Sequence, residues 1–391
     1  MRAKPPATPR NLSRMEHFQE FPVNGSELDL ATKWFKKNRF RVRVEGQSVS
    51  AEKGYLRETG NLLFHLSLIL ILLGVSIGSL FGMRGEAIVN KGERFISVLT
   101  SYDTLSFGKL SDDDSLQPFI IEVIDFVAKY DVLTNAPQDY TATVRVTNSG
   151  EKTSTIKILK VNSPLTFGNT RVYLQANGYS PIVTVRDSTG MVALQGPVPF
   201  LPQDGNFTST GVVKVADMEP QLGIQGIFAP TGIATAERGP HSMFPDLVNP
   251  MIFASYWIGD LGLDDGKPQN IYSLDKSDLK RIELEELRPG ETLELKKNYG
   301  SVEFVDVKQF ATFNIAADPG QNWALLGAIL AILGIIASLY IQRRRVWIRV
   351  DDENGVTEVV VAAISRHEDV DLSEVVHEIS SECVNILNVS K

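Results

Sequence analysis

The side chains able to do metal or nucleophile chemistry are few: His17, His65, His241, His367, His377 and the single cysteine, Cys383. No C-x-x-C pair, H-E-x-x-H motif or phosphate-cradling glycine loop accompanies them, so spacing gives neither a zinc site nor a nucleophile–histidine enzyme. One cysteine can close no internal disulfide, and its place near the C-terminus leaves the long middle of the chain without thiol chemistry. The 47 Asp and Glu residues present many carboxylates, but no spacing among them selects an acid–base pair. One position stands apart. His65 lies inside Asn61-LLFHLSLILILLGVSIGSLF-Gly82, a segment otherwise free of formal charge. An ionisable ring in such a segment is costly and normally faces a partner helix or a cavity. Neutral imidazole serves both as an interhelical hydrogen-bonder and as an iron ligand, and the residues alone leave both roles open.

The element that must position His65 is a helix. At about 1.5 Å of rise per residue, Leu62 to Phe81 covers the roughly 30 Å hydrocarbon core of a membrane. A second apolar run from Trp323 to Ile341 is of the same class, with an aromatic residue near each end and Arg343-Arg344-Arg345 after it. On the first helix, Asn61, Ile69, Leu72 and Ser76 share the His65 face within about 40°. Gly74, Gly78 and Gly82 repeat at small-xxx-small spacing on another face, where a second helix can pack closely. Residues 1–61 carry 12 Lys and Arg, and basic residues also follow the second span, so the positive-inside rule predicts two cytoplasmic termini. The expected organisation is a cytoplasmic segment over 1–60, a transmembrane helix over 61–82, an extracytoplasmic domain over 83–321, a second helix over 322–341 and a cytoplasmic tail over 342–391.

Residues 82–321 hold 21 basic and 30 acidic side chains, a net charge of −9 that argues against nucleic acid as partner. Their pattern is that of strands. Residues 141–147, 155–161, 171–175 and 183–187 alternate polar and apolar side chains between Gly, Pro, Asn or Ser residues. Ser188-Thr189-Gly190 and Asn298-Tyr299-Gly300 favour hairpins, and the sheets are expected to be antiparallel. The stretches 197–202 and 229–245 lack periodicity and read as irregular connections joining two sheet-rich halves. After the second span, 346–350 and 356–362 suggest a short hairpin, followed by an amphipathic helix opened by Asp371. The predicted fold class is thus a membrane protein with two transmembrane α-helices flanking a mostly antiparallel β-rich extracytoplasmic domain, with short cytoplasmic segments.

Several blocks carry a resemblance. Lys53-GYLRETGNLLFHLSLILILLGVSIGSLF-Gly82, Ser101-YDTLSFG, Asp114-SLQPF, Val172-YLQANGYSPIVTVRD, Leu287-RPGETLEL and Arg343-RRVWIR, in that order, resemble the ResB (CcsB) family of System II cytochrome c biogenesis proteins. The resemblance implies a multi-pass bacterial membrane subunit, not an enzyme on its own. It would work with a ResC/CcsA partner to carry haem b outward and present it for attachment to apocytochrome c. In that family the histidine of this helix is regarded as an axial haem ligand, and His65 stands at the matching position. Because neither span holds another histidine, six-coordinate iron requires a ligand from a second chain. Under the same reading Arg343 to Arg345 meet anionic lipid rather than haem propionates.

The chain also departs from the family. Two further transmembrane helices precede this region in family members, so the sequence reads as N-terminally shortened. Asn162-Ser163-Pro164-Leu165 and Ala176-Asn177-Gly178-Tyr179 stand where the family has histidine-containing versions, which removes the imidazoles through which those positions would meet haem. The contrasting reading is a membrane-tethered extracytoplasmic binding or scaffold module without cofactor, in which His65 only packs.

Overall fold

A computed structural model describes residues 4–22, 27–151, 153–263, 266, 270, 272–353, 356–365 and 372–385. The chain divides into two compact units, one made of residues 1–76 with 320–391 and the other of 77–319.

The first unit brings the two ends of the chain into one sheet. Its five antiparallel strands run in the order His17–Pro22, Val356–Ser365, Arg344–Glu353, Ser48–Lys53, Arg41–Glu45. Alternation sets the two faces. Val346, Ile348, Val359, Val361 and Ala363 point to one side, where they bury Phe35 of helix α1 (Glu27–Lys37) together with Val376 and Ile379 of a C-terminal helix (Ser373–Asn385). Trp347, Val360 and Ala362 point to the other and pack on Leu12. The N-terminal run is held there by the Arg349 guanidinium, whose Nη1 donates to the carbonyls of Pro9 and Arg10 at 2.9 Å. α1 suits its place, with Glu27 and Asp29 in its first turn and Lys36 and Lys37 in its last, each complementing the helix dipole.

The two segments flanking the apolar helices thus meet in one compact unit. Val49 and Ala51 share their core with residues of both ends: the strands over 344–365 lie in the same sheet, with Phe35 of α1 and Val376 and Ile379 of the C-terminal helix in the same cluster. The expected hairpin after the second span exists as Arg344–Glu353 paired with Val356–Ser365. Asp371, the expected helix cap, and His367 lie outside the described residues.

Joined to this sheet are the two apolar helices, α2 (Leu56–Phe81) and α3 (Gln321–Tyr340). Both are long and apolar enough to cross a membrane. α2 starts at Leu56, before its apolar run at Leu62, taking in Arg57 and Glu58.

The second unit is β-rich and antiparallel in all its named ladders. Two long strands, Thr170–Arg186 and Ser301–Ala317, pair along their whole length, from Thr170↔Ala317 to Arg186↔Ser301. One half of this ribbon, with Val172, Leu174, Phe313 and Ile315, packs against a four-stranded sheet carrying Ile121, Val123, Val144 and Leu159. The other half, with Tyr179, Val185, Val302 and Phe304, packs against a five-stranded sheet carrying Val213, Ile224, Phe228 and Tyr256. Two cores therefore share one ribbon. The strands expected at 171–175 and 183–187 are a single strand that continues through Gly178 and Pro181, with register shifts at Leu174/Ala176 and Ile182/Val183. The halves are joined by that ribbon, and not by 197–202 and 229–245; the latter stretch folds its own small hairpin, Gly232–Thr235 with Gly239–Ser242. Both expected tight turns are present. Asp187 Oδ1 accepts from the N–H groups of Thr189 and Met191, and Leu295 N–H donates to the Gly300 carbonyl.

Candidate functional site

The helix pair comes together through small residues. A side chain built on Gly334 would lie 2.7 Å from the backbone nitrogen of Phe64, and one on Gly327 would lie 2.7 Å from Ile71 Cγ1 and 3.1 Å from the Ser67 carbonyl. Gly60 meets Ala337 and Gly334, and Gly74 meets Ala324, so the helices run antiparallel with a stripe of Gly60, Phe64, Ser67, Ile71 and Gly74 against α3. Ser67, 1% exposed, satisfies its hydroxyl by donating to the Phe64 carbonyl at 2.6 Å.

The His65 side of α2 is the opposite one. At 100° per residue, Ser67 and Gly74 lie about 160–180° round from His65. Asn61, His65, Ile69, Leu72 and Ser76 are all exposed. The imidazole touches the Phe64 ring edge-on at 5.3 Å between centroids, and no hydrogen bond joins it to another described residue. Its ring nitrogens therefore face whatever surrounds the helix pair. Of the three glycines proposed for helix packing, Gly74 lies against α3, Gly78 against the Asp318 carboxylate, and Gly82 against the carbonyls of Gly78 and Ala317.

One turn before His65 is a polar hollow of about 370 Å³ lined by Arg57, Glu58, Asn61, Ser338 and Arg343. Arg57 Nη1 is buried there without a hydrogen-bond partner. Beside it, Glu52 is 2% exposed and gathers three guanidiniums: Arg343 Nε at 2.6 Å, Arg345 Nε at 3.1 Å and Arg41 Nη2 at 3.2 Å. Burial alone would raise the Glu52 pKa, but hydrogen bonds and charge from Arg343 and Arg345 outweigh it and hold the carboxyl below the ordinary glutamate value. Arg343 also pairs with Glu58. The expectation that Arg343 to Arg345 meet lipid is revised accordingly, since two of the three are engaged with Glu52. Gly54 makes the junction passable: its φ is +82°, and a Cβ there would lie 2.0 Å from the Gln342 carbonyl oxygen.

The other described histidines, His17, His241 and His377, belong to no metal-binding cluster. His17 Nε2 accepts from the Leu372 N–H at 3.4 Å, His241 Nδ1 lies 2.9 Å from the Gly239 carbonyl, and His377 Nδ1 lies 3.1 Å from Ser381 Oγ. Among the described residues no group of three or more His, Cys, Asp and Glu could hold a metal ion. In the second unit a cavity of about 620 Å³ opens at the waist between the two cores. Sequence reasoning missed it, because Glu86, Asp103, Tyr140, Asp204 and Tyr272 come from five separate segments and no spacing links them.

Two candidate membrane helices, one bearing an outward imidazole, a sheet shared by both chain ends and a large β-rich insertion define a class of tethered two-helix proteins. Residues 1–377 match the sequence model of the ResB-like family, and the chain belongs to that family. It is 21% identical over 348 residues to cytochrome c biogenesis protein CcsB of Prochlorococcus marinus, covering 88% of this chain and 68% of that protein. It is 24% identical over 321 residues to CcsB of Microcystis aeruginosa, covering 82% of this chain and 61% of that protein. A third relative, cytochrome c biogenesis protein Ccs1 of Trieres chinensis, is 28% identical over 171 residues, 44% of this chain and 38% of that protein. The chain thus spans roughly two thirds of the length of its CcsB relatives.

Proposed function

We propose that this chain is a membrane subunit of cytochrome c maturation that carries haem and presents it to apocytochrome c together with a ResC/CcsA-type partner. The observation that carries this reading is the direction of His65. It lies on the side of α2 away from α3, and no hydrogen bond joins its nitrogens to another described residue. A purely structural imidazole would be expected to bond across the helix pair, where Ser67 and the glycines lie. Membership of the ResB-like family, and relatives named cytochrome c biogenesis proteins, support haem as the cargo.

Haem fits here on one side only. His65 would supply one nitrogen to the haem iron, and since neither α2 nor α3 carries another histidine, a second ligand would come from another polypeptide. Asn61 and Arg57, one and two turns before His65, are polar groups suited to the carboxylate edge of such a cargo. The sheet uniting both chain ends puts the two termini at the same end of the helix pair, and the Lys and Arg crowding that end supports a cytoplasmic location for it. The insertion 83–319 would then lie outside, as the part that holds apocytochrome. Its two cores contain no cysteine, so it would leave the thiols of the apocytochrome to others.

The test is spectroscopic. The chain co-purified with its partner in detergent is expected to show a haem absorption band that His65→Ala abolishes or makes dependent on added imidazole. A band unchanged in His65→Ala removes the histidine, and the reading with it.

A further inference from the structure

We infer that the waist cavity of the 77–319 unit takes basic side chains of an extended polypeptide, and is not a haem site. Its volume of about 620 Å³ falls in the range typical of ligand sites, ~300–1,000 Å³. It exists for a structural reason. The first core ends at Leu174 and Ala311 and the second begins at Tyr179 and Phe304, and the register shift at Leu174/Ala176 falls between them. Gln175, Ala176, Phe310 and Thr312, the ribbon residues of that gap, line the space that neither core fills.

The wall selects charge. Glu86, Asp103 and Asp204 contribute carboxylates, and the described lining contains no Lys, Arg, His, Cys or Met. A dianionic porphyrin would meet repulsion there and find no nitrogen or sulfur donor for its iron. The two phenols offer no substitute: burial, reinforced by the Asp103 carboxylate, pushes Tyr272 up to about 12, and burial also raises Tyr140. A cation finds the reverse conditions. Tyr140, Phe207, Tyr272 and Phe310 contribute aromatic rings, whose faces attract ammonium and guanidinium groups, beside three carboxylates. Glu86 makes no ion pair with another described residue, so its charge is available to a ligand.

A sheet edge argues for a chain over a small cation. Thr104 belongs to Thr104–Phe107, the terminal strand of its sheet. It borders the cavity, and an edge strand offers main-chain groups to an extended peptide. The inference rests on the reading above only in taking apocytochrome as that peptide.

The experiment uses the full chain in detergent at low salt and two fluorescent probes, a Lys-Ala repeat peptide and its Glu-Ala counterpart. The lysine peptide is expected to bind and the glutamate peptide not to. Glu86→Lys, which reverses an anionic wall position, and Ala176→Trp, which fills the space, should each weaken binding about tenfold, with melting temperature retained. The inference is overturned if both variants bind like wild type, if the glutamate peptide binds equally, or if free arginine amide competes at the peptide's own concentration. Haem competing for the cavity would overturn it as well. His65→Ala separates the two readings: loss of the haem band with peptide binding intact supports both. A band indifferent to His65 sinks only the haem reading, and an intact His65-dependent band without peptide binding sinks only the cavity.

Discussion

Glu52 shows how one residue ties distant parts of the chain together. It sits on a strand before α2, yet two of its three guanidinium partners follow α3. Taking away its charge leaves Arg41, Arg343 and Arg345 crowded and uncompensated, so Glu52→Gln is expected to cost about 2 kcal/mol, read as a lower melting temperature at neutral pH. The pH dependence has a definite sign. Because the folded pKa lies below the unfolded one, this stabilisation is complete above the unfolded glutamate pKa of about 4.3 and is lost as pH falls through the folded value. Wild type and Glu52→Gln should therefore converge in stability in acid; parallel curves down to low pH would show the carboxylate to be irrelevant.

At the level of elements, the helix pair and the long ribbon are each limited by glycine. Gly327→Leu would drive a branched side chain into Ile71 and the backbone at Ser67, an overpacking cost of about 1–3 kcal/mol. Leu325→Ala, at a position 59% exposed, should leave the melting temperature nearly unchanged, and equal effects of the two substitutions would argue against the packing stripe. In the ribbon, Gly178 lies opposite Phe310, and a Cβ there would fall 2.3 Å from the ring. Gly178→Ala is expected to destabilise by a similar ~1–3 kcal/mol and to be relieved by Phe310→Leu, which a double-mutant cycle would detect.

At the scale of the molecule, the unit formed by both termini makes a claim about cooperativity. Ending the chain after Ile341 deletes two central strands and a helix, stripping Phe35, Val49 and Ala51 of the surfaces that bury them. Residues 5–53 should then become protease-sensitive in limited digestion while 77–319, which has its own two cores, keeps its resistance. Supplying residues 342–391 as a separate polypeptide should restore protection. A truncated chain as resistant as the intact one would mean that the N-terminal part folds alone.

What could be read from residues in order was whatever depends on neighbours in order. Twenty uncharged residues make a helix wherever they stand, period-two alternation makes strands over 141–147 and 155–161, and Asp187 with Gly190 makes a turn from four residues. His65 was conspicuous for the same reason, as a polar exception in an apolar run. Other features need residues that are far apart to meet. The α1 helix and strands over 17–53 share their core with residues 344–379, the strand through Gly178 and Pro181 is held by its partner at 301–317, and the waist cavity has walls from seven segments. The direction of His65 was likewise undecided until Gly327 and Gly334 showed which side of α2 faces α3. Local pattern encodes conformation because it acts through adjacent bonds; pairing, register and enclosed space come from contacts whose partners lie tens to hundreds of residues away.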